Sequence, residues 1–223
     1  MRNKPWVTYL LCGICVFVYL LECINSSSFN INNPTLFKFG ALLTPAYFNV
    51  NINILILPRL LMAMFVHLTP MHIISNMLFL LIIGRYIEPV FGHIRFLLLY
   101  LTSGIVGDIF ALRFSRPYSL TAGASTALFG LLTAGILLPY LLHSPQLRYF
   151  GKQMLVLLVA NIIIDLLTPS ISLLGHLGGV IGGITFGYLL RPMMSNIIIT
   201  KLPYEVLLSS IILVIILIVF VLG

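Results

Sequence analysis

The chain is predicted to be an all-α polytopic membrane protein, on three observations. Of its 223 residues, 60% are hydrophobic and only 8% are charged, where a soluble domain carries roughly a quarter charged residues. Apolar runs long enough to cross a bilayer recur along its length. The basic residues behind the net charge of +7 sit in short connections between those runs, where they orient a membrane protein; no nucleic-acid partner is expected.

Seven spans are read in order. The first runs from about Trp6 to Cys23. It is long for a signal-peptide core and has no clear small-residue cleavage site. It holds all three cysteines, Cys12, Cys15 and Cys23, in a pattern suited neither to a disulfide framework nor to zinc. The connection from Ile24 to about Phe65 starts rich in Asn and Ser, then turns moderately apolar with Pro45 and Pro58, as a partly membrane-embedded loop would. The second and third spans cover about Pro70–Ile87 and Ile94–Leu112, and the fourth and fifth about Ser125–Leu142 and Phe150–Leu167. The sixth runs from about His176 to Leu190, and a uniformly apolar seventh covers about Val206–Leu222. Residues 1–223 read as one membrane domain, with a core of about 6–191 and an extra C-terminal span outside the candidate site.

Placing the N-terminus in the cytoplasm puts Arg2, Lys4, Arg85, Arg95, Arg148, Lys152, Arg191 and Lys201 on the inner side. Lys38, Arg59, Arg113 and Arg116 then lie outside, a bias of eight to four that follows the positive-inside tendency. The second, fourth and sixth spans then all begin at the outer face. Their starts carry His67, His72 and Asn76, then Ser125, then His176, so three polar elements converge on one level.

Ser125 follows Gly123 and Ala124, which leave its hydroxyl open, and it begins a helix beside unpaired N–H groups and the positive end of the helix dipole. Taken alone it reads equally well as a helix cap. His176 is an ionisable residue inside a span, where such residues tend to mark function. Glycines at 175, 179, 183 and 187 recur every fourth residue, joined by Gly178 and Gly182, and small residues at that period let another helix approach closely. A glycine zipper with an incidental histidine is the plain alternative; tight packing on the fourth span would instead bring the imidazole to Ser125. His72 and Asn76, four apart on one helix face, could both donate to a developing oxyanion. His67 and His72 are five apart, span Pro70 and have no acid nearby, so no metal is expected. His93 and His143 fall in inner-side connections. Asp108 and Asp165 are expected to be interfacial or bonded to neighbouring polar groups. Glu88 is expected to cap or pair near the inner end of the second span, with Arg85 or Arg95 in reach.

With these residues in place, the chain resembles the rhomboid family of intramembrane serine proteases. The pieces stand in the family's order: His67/His72/Asn76, Gly84-Arg85-Tyr86-Ile87-Glu88 with Gly92, Gly123-Ala124-Ser125, and Gly175-His176-Leu177-Gly178-Gly179. The resemblance covers roughly Arg59 to Leu190 and implies a six-helix rhomboid-like core. It implies Ser125 as nucleophile and His176 as general base with no third carboxylate. His72, Asn76 and the Ser125 backbone N–H would line the oxyanion hole, and Phe129 would pack on the imidazole. His67, Gly123 and Gly179 would support the site. Two positions depart from the family pattern: Thr126 stands where glycine is usual, and Pro58-Arg59 replaces a Trp-Arg pair in the first loop. The resemblance further implies a multi-pass cell-membrane enzyme with its active site towards the extracytoplasmic side, needing no cofactor and no metal, whose partners are the lipid bilayer and transmembrane protein substrates. The alternatives are an inactive rhomboid-like protein that binds membrane segments, or a small transporter whose best handles would be Asp108 and Asp165.

Overall fold

The computed structural model describes residues 4–45, 56–168 and 172–191. The seventh span, about Val206–Leu222, lies outside the described residues. Eight α-helices form among those described: α1 (Trp6–Ser26), α2 (Asn33–Phe39), α3 (Ile56–Met62), α4 (Pro70–Phe91), α5 (His93–Phe114), α6 (Ser125–Leu141), α7 (Arg148–Leu167) and α8 (Leu173–Leu189). The helices α1, α4 and α5, and α7 with the turn Pro145–Leu147 before it, are long and apolar enough to cross a membrane; α6 and α8 are shorter apolar helices of 17 residues each. Large apolar side chains such as Leu10 and Phe17 on α1, Leu78 on α4 and Val156 and Leu167 on α7 face outward. A membrane protein turns such residues towards lipid.

The sequence starts and stops these helices with local devices. Thr69 accepts a hydrogen bond from the His72 backbone N–H, and Pro70 fills the first turn of α4, where its missing donor is not needed. Asn32 caps α2 in the same way, and Gly40 closes it at a φ of 115°, a left-handed conformation that suits glycine. Ser172 accepts from Gly175 N–H and opens α8 at Leu173. The sixth span therefore starts three residues before the position expected from its apolar run, and His176 lies in its first turn.

Helix α6 is the hub, with every residue from Thr126 to Gly135 buried. Helix α8 lies against α5 and α6 through two glycine stripes. A Cβ at Gly183 would sit 2.8 Å from Gly130 Cα on α6, and one at Gly179 would meet the Thr126 carbonyl. On the other stripe, a Cβ at Gly178 would sit 2.9 Å from Gly107 Cα, and one at Gly182 2.8 Å from Ser103 Cα, both on α5. The four-residue glycine repeat thus does what its period predicts, and the second stripe extends the close approach to a second neighbour.

At the other end of the bundle, Glu88 is fully buried. It accepts from Val7 N–H (2.9 Å), Thr8 N–H (2.8 Å) and the Thr8 hydroxyl (2.6 Å), so it caps α1 from α4. Its other contact is His93 Nδ1 at 2.5 Å. Glu88 thus both caps and pairs, as expected, but its side-chain partner is His93, the first residue of α5, and neither Arg85 nor Arg95.

The connection between α1 and α4 is tied to the segment before α6. Strand β1 (Leu42–Leu43) pairs antiparallel with β2 (Leu120–Thr121), Leu42 opposite Thr121. Gly123 N–H donates to the Ala63 carbonyl at 2.9 Å. Arg59 donates to the Phe37 and Ala41 carbonyls and lies 3.9 Å over the Phe37 ring. The arginine of the first loop thus finds its aromatic partner on α2 and not at its preceding residue, Pro58.

Candidate active site

Helix α6 begins with an unusual turn. Gly123 has a φ of 124°, which an L side chain adopts only under strain. A Cβ there would also lie 2.6 Å from His72 Cε1. Glycine is therefore required twice, for its backbone angle and for the room it leaves the imidazole. The cap position of α6 is Ala124, with no side-chain cap hydrogen bond. The Ser125 hydroxyl is consequently not spent on its own helix, and the capping explanation falls away.

That hydroxyl lies 2.7 Å from His176 Nε2. The imidazole is 5% exposed and stacks on Phe129, one turn after the serine, with ring centroids 4.1 Å apart and planes 13° from parallel. Gly179, one turn after His176, seats α8 on the Thr126 backbone. Two helix starts far apart in the chain thus deliver one oxygen and one nitrogen to hydrogen-bond distance.

The imidazole's other nitrogen, Nδ1, lies 2.5 Å from Asp165 Oδ2, on α7. The carboxylate side chain is only 4% exposed. Asp165 is bonded to a polar neighbour, as expected, but that neighbour is the candidate base, so the expectation of no third carboxylate at the site is corrected. Asp108 is 1% exposed inside the bundle, with Thr126 as its polar neighbour.

His72 and Asn76 come up from α4. Leu68 N–H donates to His72 Nδ1 at 3.4 Å, which leaves the Nε2–H free as a donor on the side facing Gly123. Asn76 gives one amide N–H to the His72 carbonyl at 2.8 Å and keeps its second. His67 does not reach the serine. Its ring lies 5.1 Å from that of His72, and Nδ1 lies 3.1 Å from the Phe65 carbonyl. Burial, then the neighbouring His72, push its pKa down to about 3, so it stays neutral.

Two cavities meet at the Ser125–His176 pair. One, of about 360 Å³, is lined by Leu68, Thr121, Ala122, Thr168 and Ser172. The other, of about 450 Å³, opens between α4 and α7 past Leu78, Phe79, Ile82 and Ile164, with Asn76, Asn161 and Asp165 among its polar lining. Ser75 and His72 border both. Serine, imidazole, helix-start N–H groups and two further donors around one accessible point form an arrangement capable of acyl transfer.

The family model described as the Rhomboid domain matches residues 57–193. The chain belongs to the rhomboid family. It is 35% identical over 186 residues to Rhomboid protease GluP of Bacillus subtilis, a match covering 82% of this chain and 34% of that protein. It is 29% identical over 186 residues to Rhomboid-like protease 3 of Toxoplasma gondii, covering 82% of this chain and 67% of the relative. RHOMBOID-like protein 1 of Arabidopsis thaliana is 35% identical over 140 residues, 60% of this chain and 35% of its own length. The chain thus spans from about a third to two thirds of these relatives' lengths. Against the rhomboid pattern, Thr126 is accommodated by absent side chains opposite it: a Cβ at Gly107 would lie 2.7 Å from Thr126 Cβ, and one at Gly175 3.2 Å from its Cγ2. The fourth and sixth spans stay closely packed.

Proposed function

We propose that this rhomboid chain is an intramembrane serine endopeptidase that cleaves transmembrane segments of membrane proteins. The observation that carries the reading is the 2.7 Å contact between Ser125 Oγ and His176 Nε2 at the junction of two cavities. His176 takes the hydroxyl proton as Ser125 attacks a backbone carbonyl. The tetrahedral oxyanion is stabilised by His72 Nε2–H, the free amide N–H of Asn76 and the backbone N–H of Ser125, which as a first-turn residue has no intrahelical partner. His176 then passes the proton to the leaving amine, and water hydrolyses the acyl-enzyme.

The cavity between α4 and α7 has the apolar lining that a membrane segment needs, and the smaller one offers water a route past Thr168 and Ser172. At 1.5 Å per residue, the 17-residue α6 and α8 are about 26 Å long, a few Å short of the roughly 30 Å hydrocarbon core. Such helices suit a site recessed below the surface. Substrates are single-span proteins whose helix unwinds readily, because an intact helix keeps the scissile carbonyl hydrogen-bonded. The eight-to-four distribution of Lys and Arg supports a cytoplasmic N-terminus and a site towards the extracytoplasmic side.

In proteoliposomes holding a transmembrane reporter, Ser125→Ala abolishes both cleavage and covalent labelling by a fluorophosphonate. Cleavage retained by that variant refutes the assignment.

A further inference from the structure

The Ser–His reading leaves one buried ionisable group at the site without a task. Asp165 sits in the last turn of α7, its carboxylate Oδ2 2.5 Å from His176 Nδ1. The buried residues of α7 are Gly151, Met154, Leu158 and Asp165, a single stripe at helical spacing. Gly151 meets Pro139 and Met154 meets Gly135 on α6, and the stripe ends on Asp165. The helix thus packs by small and apolar residues along its length and by one charged residue at the imidazole.

We propose that Asp165 is a positioning residue for His176, resting on the protease reading above. An ionised carboxylate can only accept, so Nδ1 must carry a proton. The imidazole is thereby fixed in the tautomer whose Nε2 lone pair faces the Ser125 hydroxyl. Stacking on Phe129 sets the ring plane, and Asp165 sets its rotation within that plane. When Nε2 takes the serine proton, the ring carries protons on both nitrogens. Asp165 stays ionised and stabilises that cation, and the same proton leaves from Nε2 to the departing amine. No proton moves to Asp165, and the charge of the site is conserved through each step. Phe129 cannot supply this, because an aromatic face does not select between tautomers.

The test compares Asp165→Ala, Asp165→Asn and Asp165→Glu with the intact chain in proteoliposomes. It measures kcat and KM on a transmembrane reporter, the fluorophosphonate labelling rate and thermal unfolding, with rates expressed per folded molecule. A charge-assisted hydrogen bond that strengthens as the imidazolium forms predicts a fall in kcat of about ten- to a hundred-fold for Ala and Asn, with KM within about twofold. The labelling rate falls in parallel. Asp165→Glu recovers most of the loss, and formate added to Asp165→Ala recovers part of it, which a packing role would not allow. Unchanged kcat in both the Ala and Asn variants overturns the inference. So does a loss confined to KM or thermal stability, or one that neither Glu nor formate repairs. These outcomes leave the Ser125–His176 reading standing; an intact chain that is not labelled, or a Ser125→Ala variant that still cleaves, removes both.

Discussion

Replacing Gly183 by Ala tests whether the glycine seam sets the site. The added Cβ would lie 2.8 Å from Gly130 Cα and 2.9 Å from Gly130 C, where carbon atoms in ordinary contact stand about 3.5–4.0 Å apart. Both are backbone atoms and cannot rotate away, so α8 must move off α6 by about 1 Å. Alanine has the better helix propensity, worth about 1 kcal/mol over glycine. Overpacking costs about 1–3 kcal/mol, so the steric effect wins and the unfolding temperature falls modestly. The effect at the site is larger. Gly179 holds α8 on the Thr126 backbone one turn from His176, so the shift carries to the imidazole. The contact of 2.7 Å opens to about 3.7 Å, beyond hydrogen-bond reach. A misplacement of that size lowers a positioned reaction by about a hundred-fold. Fluorophosphonate labelling reads this directly, with Gly13→Ala as the control, since nothing lies within 4 Å of a Cβ at Gly13. A Gly183→Ala protein labelled as fast as the unaltered chain would falsify the view that backbone contact between α6 and α8 positions the base.

Two further outcomes follow from groups other than the Ser125–His176 pair. Gly123→Ala combines a φ of 124° with a Cβ 2.6 Å from His72 Cε1. It should therefore displace a proposed oxyanion donor, and kcat on the reporter should fall by about 10²–10³. Glu88→Ala leaves Val7 N–H, Thr8 N–H and the Thr8 hydroxyl without their acceptor. It should lower stability by about 3 kcal/mol in thermal unfolding. Because Glu88 stands about four turns along α4 from His72, labelling per folded molecule should hold steady.

The first six spans were legible because a bilayer imposes one strong pattern, a run of apolar residues of fixed length. The starts of α4 at Pro70 and α6 at Ser125 were legible too. Helix α8 begins earlier than its apolar run implies because Ser172, a polar residue in a connection, caps it. The Ser125–His176 pairing was legible because glycine periodicity says which face of α8 approaches a neighbour. Asp165 was not, since one acid near the end of an apolar helix has no periodicity, and its partner lies on a different helix. The same holds for Glu88 and the α1 N-terminus, 80 positions apart. The short β1–β2 pair was unreadable as well, two residues on each side being too few for any alternation to register.

Helix α7 also has to enter the bilayer during synthesis, before α8 follows it. An acid at the middle of a membrane helix costs about 2.5–3.5 kcal/mol, and less near an end, where Asp165 sits. Seating that acid on His176 offsets part of the penalty, so the contact proposed to align the imidazole also favours closure of the finished bundle. Biogenesis and the proposed catalysis then draw on the same pair of atoms, and a variant that separates them should mature slowly as well as turn over slowly.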